Sequence, residues 1–241
     1  MYAIAIIPAR ANSKGVPRKN IRPLANHPLL AYSINAAFKV AAIDRIIVST
    51  DSQEYADIAV AYGAEAPFLR PHEISGDWAT DYEFVAHALE WIRVNDGVLP
   101  DYIVHLRPTT PLREPSYIAQ AIDALAATPQ ATALRSVHLM SESAYKCFEI
   151  DGPLSYLRTV GRRSFALDEA NRERQVFPKT YYPNGYVDVL RVEHVLAQHC
   201  IHGNRVMPLV TPRVTEVDTE EDFALLEWEV ARNPGIVKAL F

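Results

Sequence analysis

The sequence predicts an α/β fold: a mostly parallel sheet with helices packed on both faces. Two observations predict it. Short apolar runs of strand length alternate with stretches whose apolar residues recur at helical spacing, and this β-α-β-α order continues from residue 2 to residue 137. The chain has 241 residues, 49% hydrophobic and 22% charged, enough for one large globular domain or for one domain with an appendage.

Tyr2–Ile7 is apolar throughout, as a strand buried on both faces is. Leu30, Ile34, Ala37, Phe38 and Ala41 then share one helical face. Arg45–Ser49 gives a second strand, ending at Thr50-Asp51, and a helix follows over Gln53–Tyr62 with Gly63 as its stop. Val85, Ala88, Leu89 and Ile92 mark the next amphipathic helix. Tyr102–Leu106 is a third strand, Ile118, Ala121, Ile122 and Leu125 give its helix, and Thr132–Val137 is a fourth strand. Right-handed crossovers are expected.

From Ser141 to Pro183 the periodicity fades, around Gly152-Pro153 and the charged run Asp168 to Arg174. A stretch that long inside a compact domain has a function or a partner of its own. We expect an inserted arm over 141–183, in a domain built from 1–140 and 184–241. Strands resume at Tyr186–Leu190 and Arg205–Val210. Thr219 with Asp222 three positions on resembles a capping box, opening a helix that buries Phe223, Leu226 and Val230.

Net charge is −5, which gives no broad basic face for nucleic acid. Cys147 and Cys200 lie far apart without metal-ligand spacing, which suits a reducing compartment. No apolar run approaches the ~18 residues of a membrane span, and no secretory-signal pattern opens the chain. A cytoplasmic protein is expected.

Against this acidic background, Arg10 to Asn20 packs four basic side chains and Gly15 into eleven residues, just after the first strand. Lys and Arg neutralise a polyphosphate, glycine admits close backbone approach, and free N–H groups fill the remaining acceptor sites. Neither a Walker loop nor a dinucleotide fingerprint is present. The carboxyl end of a strand is where open α/β sheets bind ligands.

Six motifs follow in order along the chain. They are Ile7-Pro8-Ala9-Arg10 through Ser13-Lys14-Gly15 to Lys19-Asn20; Val48-Ser49-Thr50-Asp51; Leu69-Arg70-Pro71 with Asp77 and Thr80; Leu106-Arg107-Pro108-Thr109-Thr110-Pro111-Leu112-Arg113; Tyr182-Pro183-Asn184-Gly185; and Val217-Asp218-Thr219-Glu220-Glu221-Asp222-Phe223. Together they resemble the acylneuraminate (CMP-sialic acid) cytidylyltransferases, the CMP-nonulosonate synthetases. The resemblance implies a Rossmann-like fold of nucleotide-diphospho-sugar transferase type with a small dimerisation arm. It implies a homodimer in which the arm of one subunit helps close the other's sugar site. It also implies a reaction: CTP and a nine-carbon 2-keto sugar acid give CMP-sugar and pyrophosphate, with Mg²⁺.

Carried onto this chain, the resemblance gives Arg10, Lys14 and Lys19 the triphosphate, and sets Asn20 beside the α-phosphate. Ala9, Ser13 and Gly15 offer backbone or hydroxyl contacts. Arg70, Ala79 and Thr80 meet cytosine and ribose, although Thr80 or Asp77 also suits a helix cap. Lys146 and Arg174 match cations near the sugar, although Arg174 sits in a charged run that suits solvent. Asn184 matches a sugar contact, and Asn184-Gly185 is also a strong turn signal. Glu216 and Asp218 stand two apart, so a strand would aim both carboxylates at one Mg²⁺. Asp218 also suits a cap for the helix at Thr219, and Asp51 reads as support.

Three positions depart from the family pattern. Arg107 replaces a glutamine and has two candidate partners, the substrate carboxylate or a local one. Asp188 stands where a tyrosine is common, and Glu216 where an aspartate is. Arg107, Asp188 and the Ala66–Pro71 run point towards a diamino nonulosonate of bacterial type, among sialic, legionaminic and pseudaminic acids. The alternatives are a Kdo-type cytidylyltransferase, which would carry a Gln-Gly-Asp-Glu-Pro type motif in place of Leu106–Arg113, and a non-catalytic CTP-binding relative.

Overall fold

β1 (Ala3–Pro8) shows why the sheet has two buried faces. Its side chains alternate: Ala3, Ala5 and Ile7 join one apolar cluster, Ile4 and Ile6 the other. In a computed structural model, which describes residues 1–151, 156–160 and 167–241, β1 leads through β2 (Pro23–Leu24) and β3 (His27–Pro28) into α1 (Leu29–Phe38). There follow β4 (Arg45–Ser49), α2 (Gln53–Ala61), α3 (Asp81–Asn95), β5 (Tyr102–His105), α4 (Pro115–Ala126) and β6 (Ala133–Leu139). After them come β7 (Phe148–Asp151), β8 (Tyr156–Thr159), β9 (Tyr181–Arg191), α5 (Val192–Gln198), β10 (Val206–Val210), α6 (Glu220–Arg232) and α7 (Gly235–Leu240).

The main sheet has six strands in the order β10-β6-β9-β5-β1-β4. One cluster is built with α1, α4 and α6, the other with α3 and α5. The sheet is mostly parallel, with one exception: β9 runs antiparallel to both its neighbours, β5 and β6. It enters after the inserted segment, where no crossover α-helix lies among the described residues, so the β-α-β rule does not reach it.

Three local expectations change. The dipeptide Asn184-Gly185 makes no hairpin turn. It forms a bulge inside β9, where Arg135 pairs with Asp188 but Val137 pairs with Pro183. Gly185 takes φ +63°, and a Cβ there would meet Thr110 Oγ1 at 2.8 Å and Glu216 Oε1 at 3.2 Å. The segment carrying Glu216 and Asp218 lies outside the sheet, held by Val217 N donating to Thr109 O at 2.8 Å. α1 stops at Phe38, and the 55% exposed Phe38 side chain leaves the core. The Thr219 capping box is present, with Phe223, Leu226 and Val230 buried as expected.

The expected arm, 141–183, falls partly on 152–155 and 161–166, outside the described residues. In its described part, β7 and β8 pair with each other apart from the main sheet, and Ile150, Tyr156 and Leu157 are exposed. Tyr181–Pro183 already belongs to β9. Among the described residues no helix is long and apolar enough to cross a membrane.

Candidate active site

A cleft of about 420 Å³ opens where β1 ends, within the ~300–1,000 Å³ range of small-molecule sites. The basic loop forms one wall through Arg10, Ser13, Lys14, Gly15, Lys19 and Asn20. The loop is tied down from beneath. Ala9 N donates to Ser49 O at 2.9 Å, and Asp51 Oδ1 accepts from Ala11 N at 2.8 Å. Ala9, expected among the nucleotide contacts, is fully buried with its N–H used in that bond, so it supports the loop instead of lining the cleft. Buried Asn20 donates to Arg10 O at 2.9 Å and orients that turn. Arg18 points away and pairs with Glu54.

The cations already hold an oxyanion. Asp77 bridges Arg10 Nη1 at 3.1 Å and Lys14 Nζ at 2.5 Å. The Lys14 hydrogen bond, joined by Arg10, holds the Asp77 carboxyl below the usual carboxylate range. Asp77 therefore caps no helix. Lys19 Nζ is nearly covered; it donates to Val217 O at 2.6 Å and meets Asp218 Oδ1 at 3.1 Å. Gly15 makes the same junction from the other side, since a Cβ there would stand 1.9 Å from the Asp218 carbonyl oxygen. The glycine expected to admit a ligand first admits the backbone of the carboxylate segment.

Arg70, Ala79 and Thr80 line the opposite wall. Arg70 donates to Ser49 O at 2.5 Å and lies over the Phe84 ring. Burial lowers it to about 10, which leaves it charged at neutral pH. Thr80 fills both of its expected places, as the cap of α3 with Glu83 and as a cleft residue.

Arg107 lines the cleft, but its two carboxylate partners are local: Asp188 Oδ2 at 2.9 Å and Asp81 Oδ2 at 2.6 Å. Asp188 is 1% exposed, with His202 Nε2 at 3.4 Å and Arg135 Nε at 3.7 Å. Burial alone would raise the Asp188 carboxyl; the contact with His202 and the charges of Arg107 and Arg135 outweigh it, holding it well below the usual range. The expected sugar contact at Asp188 is thus corrected: the carboxylate is buried and anchors Arg107 instead of lining the cleft. The same pocket buries His105 completely, and burial, then Arg107, lowers it to about 3.

A pH dependence follows from His105. Between its unfolded value of about 6.5 and the folded value of about 3, only the unfolded chain takes the proton. Stability is therefore lost as pH falls through that window, by up to ~1.4 kcal/mol per pH unit. His105→Gln is expected to flatten the slope of urea midpoints measured between pH 7 and 4.5. An unchanged slope would contradict the burial of a neutral imidazole.

Glu216 and Asp218 both line the cleft, flanking fully buried Val217. Glu216 Oε1 accepts from Thr109 Oγ1 at 3.3 Å. Asp218 is 70% exposed and caps nothing, because Thr219 and Asp222 cap α6 between them. Among the described residues no three His, Cys, Asp or Glu side chains gather as a metal site. Two hard-oxygen donors on an open wall fit Mg²⁺, which keeps several waters and takes further ligands from bound phosphates.

Beyond these carboxylates lies a second cavity of about 710 Å³, sharing Glu216 and Asp218 with the cleft and adding Asn184, His138 and Arg213. The Asn184 amide is partly committed, donating to Thr211 Oγ1 at 2.7 Å and accepting from Tyr186 N at 3.3 Å. Lys146 and Arg174 line neither space. Lys146 donates to Arg172 O at 3.1 Å and Arg174 to Met140 O at 2.7 Å, so within one chain they brace the inserted segment.

The sequence reading gave no role to Arg113 or Asp81. Arg113 is 2% exposed and has no carboxylate partner among the described residues. It donates to Ser33 Oγ at 2.5 Å, Arg107 O at 2.7 Å and Tyr186 O at 2.9 Å. It therefore pins the Arg107 loop to β9 beside the Gly185 bulge. Its one signal was being the second arginine of the Leu106–Arg113 motif. Asp81, beside Thr80, carried none.

The family described as Cytidylyltransferase matches residues 4–177. The chain is 32% identical over 226 residues to the N-acylneuraminate cytidylyltransferase of Escherichia coli, covering 92% of this chain and 50% of that one. It is 30% identical over 233 residues to the CMP-N,N'-diacetyllegionaminic acid synthase of Legionella pneumophila, covering 94% of this chain and 95% of that one. The chain thus spans half the length of the first relative and nearly all of the second. A solved CMP:2-keto-3-deoxy-manno-octonic acid synthetase complexed with CTP superposes with a TM-score of 0.71 over 96% of this chain and 99% of that one, at 14% identity, a likeness of fold.

Proposed function

The chain belongs to the cytidylyltransferase family, and we propose that it activates a nine-carbon 2-keto sugar acid of sialic, legionaminic or pseudaminic type with CTP, giving CMP-sugar and pyrophosphate. One observation carries this reading: a single cleft sets Arg10, Lys14 and Lys19 against the carboxylates Glu216 and Asp218. Relatives at about 30% identity are named for nine-carbon acids. The eight-carbon synthetase resembles the chain in fold alone.

The anomeric hydroxyl attacks the α-phosphorus. A new P–O bond forms, the bond from the α-phosphorus to the oxygen it shares with the β-phosphate breaks, and the hydroxyl proton passes to solvent water. Negative charge builds on the α-phosphoryl oxygens and on departing pyrophosphate. Fixed cations there lower the barrier more than they help ground-state binding. A triphosphate would compete with Asp77 for Arg10 and Lys14, while Lys19 holds the Val217–Asp218 backbone in place. Arg70, Ala79 and Thr80 take the nucleoside side of the cleft. Asp218, with Glu216, would hold Mg²⁺, which supplies positive charge to the phosphates when bound.

The arm of 141–183 supports a homodimer, with exposed Ile150 and Tyr156 as a face to cover. A partner's arm could then bring the cations at its Lys146 and Arg174 positions to the sugar. Consumption of CTP suits the cytoplasm and a supply of activated sugar for surface glycans.

The test is product analysis by mass spectrometry after incubation with CTP, Mg²⁺ and sialic, legionaminic, pseudaminic or Kdo acids. A CMP-sugar from one of the nine-carbon acids is expected. Product from Kdo alone would overturn the assignment. Gly15→Ala should push the Asp218 carbonyl aside and cut the maximal rate on the order of 100-fold, as an ångström-scale misplacement does. A near-normal rate would show that the 1.9 Å approach is relieved elsewhere.

A further inference from the structure

We propose that Arg213 binds the carboxylate of the sugar acid in the cavity beyond Glu216 and Asp218, which His138 also lines. The inference rests on the reaction proposed above and deepens it.

The acceptor is an anion whose carboxylate is attached to the same carbon as the attacking hydroxyl. That carboxylate must therefore lie beside Glu216 and Asp218. The cavity wall there also carries Asp222 and Glu229, so the surroundings are strongly acidic. Bringing a further carboxylate into such a wall is costly unless a cation meets it. Among the described residues lining this cavity, Arg213 supplies the one Lys or Arg side chain.

Within the chain itself, the other cations near the cleft are committed. Arg10 and Lys14 face the phosphate side, and Lys19 holds Val217 O and Asp218. Arg107 is clamped between Asp188 and Asp81, and Arg113 is buried on backbone oxygens. Arg213 is exposed and engages no carboxylate among the described residues. Its planar fork suits bidentate carboxylate recognition.

His138 lies on β6 opposite Tyr182 of β9, at the cavity edge, and its Nδ1 is buried without a hydrogen-bond partner. Burial, then the charge of Arg213, holds His138 below the ordinary histidine range. Its unpartnered Nδ1 is a polar atom available to a ligand in the cavity. The carboxylates Asp222 and Glu229 are occupied by their own donors, Thr219 and Thr215, which leaves Arg213 for the substrate.

The test uses the full chain, Arg213→Ala and Arg213→Lys, with pyrophosphate release as readout and the matching C1 carboxamide as an uncharged acceptor. Arg213→Ala is expected to raise the KM for the acid about 10- to 100-fold, the loss of a charged hydrogen bond. The KM for CTP should stay within about twofold. Arg213→Lys should recover part of the loss, and the carboxamide should react alike with wild type and Arg213→Ala. An unchanged acid KM in a folded Arg213→Ala, or equal losses for acid and carboxamide, would overturn the assignment. If the wild-type chain binds CTP but uses no sugar acid, the reaction itself is wrong and the inference falls with it. If it uses one and Arg213→Ala uses it equally well, only the inference falls.

Discussion

Asp218→Ala is expected to abolish turnover, by on the order of 10³-fold or more, while the fold survives. Both halves of that result follow from position. The carboxylate is 70% exposed, and the one side chain it pairs with among the described residues is Lys19. An exposed ion pair contributes ~0–1 kcal/mol, so the melting midpoint should move by only a few degrees. Yet the same carboxylate faces the cleft beside Glu216, where the proposed reaction must balance charge as pyrophosphate leaves. Asp218→Asn separates charge from volume: it keeps the shape and should lose the rate. Near-normal turnover of either variant in excess Mg²⁺ would remove Asp218 from the metal site. Lys19→Ala should lower kcat more than it raises the CTP KM, because its contacts set the Asp218 segment in place.

The largest stability effect is expected at Arg113. Arg113→Met fills the volume but leaves Tyr186 O without its side-chain donor and takes one donor from Arg107 O, which keeps Thr110 N at 3.2 Å, in a region the arginine occupies at 2% exposure. An orphaned buried acceptor costs ~1–3 kcal/mol, and a loss on that order is expected from denaturant midpoints. Burial lowers the guanidinium to about 9, so it still carries its charge at neutral pH. Arg113→Lys keeps that charge but loses the fork that reaches Ser33, Arg107 and Tyr186 together, and should lie between. A loss under ~1 kcal/mol would mean that water replaces the guanidinium freely.

Most of the frame was legible because it rests on local periodicity. The apolar faces at Val85–Ile92 and Ile118–Leu125 pack where their spacing implied. The Thr219–Asp222 cap declares itself within four residues. The basic loop was legible because its residues are contiguous. What escaped depends on partners far apart in sequence. Arg107 meets Asp81 and Asp188, 26 and 81 positions away, and nothing local distinguishes that from a substrate carboxylate. Asp77 reaches Arg10 across 67 positions. Asp188 was assigned from the resemblance, by its place where a tyrosine is common, and that place says nothing of a carboxylate buried beneath Arg107. Glu216 and Asp218 share a wall as alternation implied, although a backbone tie to Thr109 replaces the sheet ladder there.

The most direct measurement is the time course of pyrophosphate release with CTP, Mg²⁺ and a nine-carbon sugar acid, alongside reactions lacking one substrate. A single cleft that joins the two substrates predicts one pyrophosphate per CMP-sugar, and release only when both are present. Tight CTP binding with no pyrophosphate from any sugar acid, or release that ignores the acid, would contradict it.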